Sequence, residues 1–540
     1  MRLFFSTILL LSNILAFTQV YPGMYRLHLS DKNNNGYNID NPGQFLTQRA
    51  ITRRINQNIA ITQSDLPITK TYTDSLQKLG CEIIAKSKWF NTVVIATTDT
   101  ALLDTIQNLS FVDTLERFTE GNKIQTSKPD KNIQSTEDYY DYGNAYNQIH
   151  IHNGEIMHNN GYRGQGMRIA VIDAGFTGAD QIQGFQHIFS DNRLIATYDF
   201  INRNSNVFGF HSHGTNVLSC IASYLPGEFV GTAPEAEFLL LRSENGSSEY
   251  EIEEDFWVAA AEFADSLGVD VISSSLGYNT FNDSRQNYTY QDMDGKTAMI
   301  SKAATIASEK GILVVVSAGN AGNDSWHYIT APADADSIIT VGAISSSLDI
   351  ASFSSRGPSS DGRIKPDIVA KGLAATVLST TGDITTNSGT SFSAPIAAGL
   401  ATCLWQANPE KNNIEIINLI KEYSSQYEQP DNIKGYGIPD FGEALSVSVL
   451  GGNISKDKFL YLSENPFNDK IKFSFYSSAY QDVYVTISDI TGKIIYSQTY
   501  KAFKQSKQDF NINANSLNAG VYIIKIVSDQ SKFDYKIMKL

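Results

Sequence analysis

The sequence points to an α/β protein: a parallel sheet flanked by helices, with a small α+β unit before it and a small all-β sandwich after it. Three observations lead there. Between Tyr140 and Leu445, near-continuous Val, Ile and Leu runs alternate with amphipathic stretches, as expected of strands buried on both faces under covering helices. From Tyr21 to Phe118, shorter helical and alternating stretches interleave. After Ser448, alternation recurs between turn signals such as Asn468-Asp469, Thr491-Gly492 and Ala519-Gly520.

Length and composition bound the rest. A chain of 540 residues exceeds one compact core, so about two to four folding units are expected. With 42% hydrophobic and 18% charged residues the composition is globular. The formal charge of −15 opposes nucleic acid or an anionic membrane as partner and favours solubility. Arg2 precedes an apolar run from Leu3 to Phe17, which reads as a secretory signal over residues 1–19. No later stretch reaches the roughly 20 apolar residues of a membrane span. Only Cys81, Cys220 and Cys403 occur, too few for a disulfide framework. Cys220 and Cys403 fall in two apolar helical stretches, where buried inert thiols are favoured over a disulfide between them.

In the first unit, residues 20–125, helical spacing covers Thr47 to Ala60 and recurs at Leu76 to Leu79. The run from Lys88 to Ile95 alternates like a strand, and amphipathic Thr100 to Leu109 leads into Phe111 to Leu115. Thr119 to Tyr139 is hydrophilic and aperiodic, an exposed linker. In the central unit, residues 140–448, strands are expected at Met167–Ile172, Glu237–Leu241, Val269–Ser273, Ile312–Val316 and Ile338–Val341. Helices are expected at Thr215–Tyr224, Glu251–Leu267, Met299–Lys310, Ser391–Trp405 and Asn413–Tyr423. The last unit, residues 455–540, offers strands at Lys470–Phe475, Val483–Ile487, Lys493–Tyr496, Val521–Val527 and Phe533–Ile537.

Function in such sheets gathers at the carboxyl ends of the strands. Asp173 in Val171-Ile172-Asp173-Ala174-Gly175 ends a strand run, and the Ser275 and Asn320 motifs each follow one. His213 in His211-Ser212-His213-Gly214-Thr215 stands at a helix start, with His211 as its rival. Ser391 in Gly389-Thr390-Ser391-Phe392-Ser393-Ala394-Pro395 begins another helix; Gly389 lets a substrate approach the backbone, and Pro395 is tolerated in a first turn. A nucleophilic serine needs a base and an acid that orients the base, and Asp, then His, then Ser is one of several known chain orders for that set.

With these motifs the chain resembles the subtilases, the subtilisin-like serine endopeptidases. Phe353-Ser354-Ser355-Arg356-Gly357-Pro358 and Lys365-Pro366-Asp367 also match subtilase segments and are given no catalytic role. The resemblance implies a subtilisin-like parallel sheet, with Ser391 as nucleophile, His213 as base then acid, and Asp173 orienting the imidazole through an acyl-enzyme cycle. It also implies an oxyanion hole made by the amide of Asn320 in Ser317-Ala318-Gly319-Asn320 and a backbone N–H at the helix start. Loss of one such donor costs about 2.7–4 kcal/mol in subtilisin itself, a magnitude taken over here. Substrate is expected as an added strand along Ser275-Leu276-Gly277, which with the segment before Asn320 walls the primary pocket. No acidic side chain is evident in either segment, so no strong demand for Lys or Arg at the cleaved position is expected. Asn216 and Phe392 stand where the family often has His and Met.

The resemblance requires no cofactor or metal, and calcium finds no recognisable site. The connection between Ala222 and Gly231 is too short for the calcium loop of several subtilisins. An insertion runs from Asn279 to Thr297, but its Asp283, Asp292 and Asp294 lack ligand-loop spacing and read as a solvated loop. The first unit's place between signal and peptidase resembles the family's propeptide, so the expected protein is a zymogen. Asn465-Pro466-Phe467-Asn468, Asp489-Ile490-Thr491-Gly492-Lys493, Leu517-Asn518-Ala519-Gly520-Val521-Tyr522 and the terminal Lys536-Ile537-Met538-Lys539-Leu540 resemble the sorting domain of type IX (Por) secretion substrates. Partners are then protein or peptide substrates and the type IX machinery, and the destination is the cell surface or the medium. The alternatives are a catalytically inactive homologue that only binds, or an esterase using the same triad.

Overall fold

The computed structural model describes residues 23–118, 138–449, 458–463, 465–477, 481–502, 506–529 and 531–540. The expected signal sequence and most of the expected linker lie outside these residues.

The central unit is a seven-stranded parallel sheet. In space the strands run Ile368–Lys371, Ile339–Ile344, Leu313–Ser317, Val271–Ser274, Arg168–Asp173, Glu237–Arg242 and Leu194–Asp199. The chain enters at Arg168–Asp173, builds one side, crosses over after Glu237–Arg242 and builds the other. That reversal flanks the end of the Arg168–Asp173 strand, the place where sheets of this kind ordinarily bind a ligand. The pleat divides the core in two. Ile169, Val171, Leu240, Val271, Leu313 and Val315 face the helices His213–Ala222 and Thr390–Ala407. Ala170, Ile172, Leu239, Leu241, Ile272, Val314 and Val316 face Ile252–Ser266 and Met299–Glu309. Each fully buried Val, Leu or Ile stabilises by about 1.5–3 kcal/mol relative to exposure.

All five expected sheet strands and all five expected helices form. The strands Leu194–Asp199 and Ile368–Lys371, absent from the sequence expectation, are the two sheet edges. The first is only half-buried along most of its length and the second has four residues, so neither carries a long apolar run.

The first unit is a four-stranded antiparallel sheet ordered Glu82–Ser87, Thr92–Ala96, Met24–Leu29, Val112–Arg117. The run from Lys88 to Ile95, expected as one strand, instead turns at residues 88–91, with Asn91 in the left-handed region at φ 54°, and pairs back as a hairpin. One face of this sheet packs its own helices through Leu27, Val93, Ile95, Leu76 and Ile106. The other turns Ile84 and Val94 toward Ile252 and Phe256 of the central unit.

In the last unit a three-stranded sheet and a four-stranded sheet share one core, Phe473, Phe475 and Phe510 meeting Val485, Ile487, Ile524 and Ile537. This is the expected sandwich. The three cysteines are buried and free.

Candidate active site

Asp173 is the last residue of its strand and fully buried. Its carboxylate accepts from Nδ1 of His213 at 2.9 and 3.0 Å, and also from the N–H of Ala174 at 2.7 Å. Because Nδ1 must donate to a carboxylate, Nε2 is left as the proton acceptor. The close approach depends on Gly214: a Cβ there would stand 2.4 Å from the Gly175 carbonyl oxygen and 3.0 Å from the Asp173 Cβ. The His213 side chain keeps 27% of its surface open. Burial works against its charged form, but the Asp173 carboxylate, with Glu244 adding to it, holds its pKa above the ordinary value. His211 does not reach Asp173; it accepts the N–H of His213 on Nδ1 at 3.1 Å, and its pKa is lowered by burial and by His213.

Ser391 is the second residue of the Thr390–Ala407 helix and 8% exposed. Its hydroxyl points toward the Ser275 carbonyl oxygen at 3.4 Å, and among the described residues no hydrogen bond joins it to His213. Phe392 beside it brings its ring to 6.0 Å from the imidazole, so the serine and histidine segments share one wall. A loose serine in the resting state is common, and rotation about one side-chain bond re-aims it.

Pro395 is the sixth residue of this helix rather than part of its first turn. It has no N–H to give the carbonyl four residues back, which is that of Ser391. The Ser275 hydroxyl supplies the missing donor at 2.8 Å. Ser275 thus ties the end of the Val271–Ser274 strand to the start of the serine helix. The segment beyond it, with Leu276 buried and Gly277 exposed, runs along the mouth of the crevice. A Cβ on Gly277 would stand 2.3 Å from Thr330 Oγ1.

Asn320 is exposed, three residues past the Leu313–Ser317 strand. Its side-chain oxygen accepts from Thr390 N–H at 2.8 Å and Thr390 Oγ1 at 3.0 Å. A backbone N–H can only donate, so the oxygen is identified by its partner and the NH₂ group is the one left to donate. That amide and the early N–H groups of the serine helix are the donors the arrangement offers to a developing oxyanion.

The structure also explains the two departures in sequence. Asn216 donates to the Leu378 carbonyl at 2.5 Å and accepts from Asn387 at 3.1 Å, fastening its helix to a neighbouring hairpin. In the insertion, Asp283 pairs with Arg285, Asp292 caps its own turn on Thr289, and Asp294 accepts from Lys296 and Thr297. The insertion is not a wholly solvated loop, since Asp283 is buried and Phe281 and Met293 join the core.

Sequence reasoning missed a different acidic group. Glu244 and Glu249, on the loop after Glu237–Arg242, and Glu253, at the start of the Ile252–Ser266 helix, bring carboxylate oxygens within 4.8 Å of one another; the Ser243 N–H of that loop donates to the Asp173 carbonyl. Acidic residues at a helix start are the ordinary complement to its dipole, so the run Glu249 to Asp255 carried no signal of its own.

Comparison with known proteins identifies relatives of each unit. The profile of the Subtilase family matches residues 164–437. The Peptidase S8 propeptide domain of Bacteroidota matches 24–135, and the Secretion system C-terminal sorting domain matches 465–539. Serine protease AprX of Bacillus subtilis (strain 168) is 31% identical over 317 residues, 53% of this chain and 66% of its own length. Thermophilic serine proteinase of Bacillus sp. (strain AK1) is 31% identical over 276 residues, 50% of this chain and 58% of its own. Subtilisin DY of Bacillus licheniformis is 28% identical over 262 residues, 48% of this chain and 83% of its own. The chain thus spans less than two thirds of the first two.

Proposed function

We propose, from the premise that the chain belongs to the subtilase family, that it is a secreted serine endopeptidase made as a zymogen. The observation that carries this reading is the buried Asp173 carboxylate held on Nδ1 of His213 at 2.9 and 3.0 Å, with Ser391 across the same crevice at a helix start. In the cycle, Nε2 of His213 takes the Ser391 proton as Oγ attacks the peptide carbonyl. The oxyanion is held by the Asn320 amide and helix N–H groups, and His213 returns the proton to the leaving amine. Water then repeats the attack on the acyl-enzyme. Asp173 keeps the imidazole in the right tautomer throughout. The substrate strand along Ser275-Leu276-Gly277 favours peptides over simple esters, and the presence of every catalytic group disfavours an inactive homologue.

Docking of the first unit supports the zymogen. Its last described residue before residue 138, Phe118, packs with Ile201, Tyr250 and Ile252, next to the Glu244 to Tyr250 loop of the central unit. Units of 20–125, 140–448 and 455–540 are proposed as propeptide, peptidase and sorting domain. The sorting domain directs export by type IX secretion to the cell surface or beyond, and no described helix is long and apolar enough to cross a membrane.

Digestion of a complex peptide mixture tests the reading. Activated wild type should cleave, and Ser391→Ala should lose on the order of 10⁶ in kcat, the size of loss seen in subtilisin. Equal cleavage by the two proteins would overturn it, and fluorophosphonate labelling of wild type alone would show that Ser391 is the nucleophile.

A further inference from the structure

His213 is the first residue of its helix, so its own backbone N–H is one of the donors that a helix start leaves without an intrahelical partner. The ordinary remedy is missing: Ser212, at the N-cap, makes no side-chain cap hydrogen bond and has helical backbone angles, φ −80° and ψ −16°. His211 acts in its place, accepting that N–H on Nδ1 at 3.1 Å. The carbonyl of His211 accepts from the N–H of Thr177 at 3.3 Å and from Thr177 Oγ1 at 3.0 Å. The Thr177 carbonyl in turn accepts from Thr215 Oγ1, in the same first turn as His213, at 2.9 Å. Phe210 is held in the left-handed region at φ 74°, with the Arg242 guanidinium 3.9 Å over its ring. On its other side the His211 ring lies flush against Gly246, where a Cβ would stand 2.6 Å from its Cδ2. A strained non-glycine residue persists only where its surroundings over-determine it, and these surroundings converge on a half-buried imidazole that is not the base.

We propose that His211 is a positioning residue: as a neutral imidazole it caps the helix that presents His213 to Asp173, and on taking a proton it lets that cap go. This role rests on the endopeptidase reading above and adds to it a second histidine that acts through the first. A backbone N–H only donates, so Nδ1 of His211 carries the lone pair and its proton sits on Nε2. Protonation puts a hydrogen on Nδ1 as well, and an imidazolium has no acceptor to offer. The new charge also stands at the positive end of the helix dipole. The charged and titratable groups around His211 are His213, Asp173 and Arg242, while Glu244, on the same loop as Gly246, acts on His213. Burial first, then His213 and Arg242, hold His211 neutral to lower pH than a free histidine, against the pull of Asp173. Two neutral imidazoles are therefore needed at once, His213 to take the Ser391 proton and His211 to keep His213 in place.

Activated wild type, His211→Leu and His211→Asn are compared on one fluorogenic peptide whose cleaved bond is taken from the peptide-mixture digestion. His211→Leu keeps much of the bulk and removes the acceptor. It should lower kcat by about tenfold, the scale of one lost hydrogen bond, with KM nearly unmoved. His211→Asn should recover most of the rate, because an asparagine oxygen accepts the N–H two residues on. In the acid limb of kcat/KM, wild type should fall with a slope of about one as His213 protonates and steepen toward about two once His211 is charged too, whereas His211→Asn keeps a slope of about one throughout. Packing alone does not move that difference in slope, and it keeps the test readable if His211→Leu folds poorly. Wild-type kcat in His211→Leu, no recovery in His211→Asn, or acid limbs of equal slope would each overturn the role of His211 and leave the endopeptidase reading standing. Wild type that neither cleaves the peptide nor takes up fluorophosphonate on Ser391 would end that reading and this role with it.

Discussion

The Ile252–Ser266 helix carries buried acids toward both of its ends, and the first unit pairs with some of them and not with others. At its C-terminal end, Asp265 accepts from Arg53 and from Arg54 at 2.7 and 2.9 Å, with Lys88 at 3.5 Å. Glu262 accepts from Ser87 Oγ at 2.6 Å and from the N–H groups of Lys88 and Trp89 at 2.8 and 2.9 Å. All these donors belong to the first unit. Burial alone would push the Asp265 carboxyl up, but Lys88, Arg53 and Arg54 hold it well below the usual carboxylate range. At the N-terminal end, buried Asp255 is likewise paired with Arg26 of the first unit, at 3.1 Å from its Nε, whereas Glu253 meets only backbone N–H groups and two further glutamates of its own unit.

The difference teaches what each surface is built for. The first unit is docked through both kinds of contact, an apolar patch of Ile84 and Val94 on Ile252 and Phe256 and buried ion pairs at Asp265 and Asp255, and a buried ion pair is costly to break from one side only. Among the described residues, Glu253 and the two glutamates near it take no counter-charge from the first unit.

The largest effect should come from Asp265→Ala. It strands Arg53 and Arg54 in a buried interface, and breaking one partner of a buried pair costs about 3–5 kcal/mol. Urea denaturation of the full chain in the Ser391→Ala background reads that loss; an unchanged midpoint would mean the interface is already wet. Glu262→Gln keeps size but weakens acceptance from three donors. It should cost about 1–3 kcal/mol in the same measurement, less than Asp265→Ala.

Acid separates the interface from the core. A carboxyl with depressed pKa, such as Asp265, contributes stability that is complete above its unfolded value near pH 3.9 and is lost only below that. Buried His152 and His158 and half-buried His187 behave differently, since loss of solvent pushes each down to about 4. Their contribution is complete above the unfolded histidine value near 6.5 and is lost as pH falls from there toward 4. These histidines should therefore contribute a drop between pH 6.5 and 4 with a slope of up to about 1.4 kcal/mol per pH unit each, opposed over the upper part of that range by buried Glu254, whose pKa burial raises to about 8 and which stabilises more as pH falls. His158→Gln should flatten that slope, while Asp265→Asn should leave its shape alone above pH 4.

Much of the site is legible in the amino-acid sequence. Asp173, His213 and Ser391 each sit in a short motif at the edge of an apolar run, and Asn320 follows another. The hairpin at Lys88 to Asn91 is not, because alternation continues through it and only strand pairing reveals the reversal. Nor is the tie from the Ser275 hydroxyl to the Ser391 carbonyl, which exists because Pro395 withholds a donor from inside the helix.

Period, propensity and motif are properties of a short window, and they are enough to place the helices, the inner strands and the reacting groups in chain order. Counter-charge is not such a property. Arg54 lies 211 residues from Asp265, and whether a buried carboxylate finds a guanidinium or another carboxylate depends on which distant segments the tertiary structure presses together, since electrostatic energy in a poorly solvated interior is set by distance in space and not along the chain.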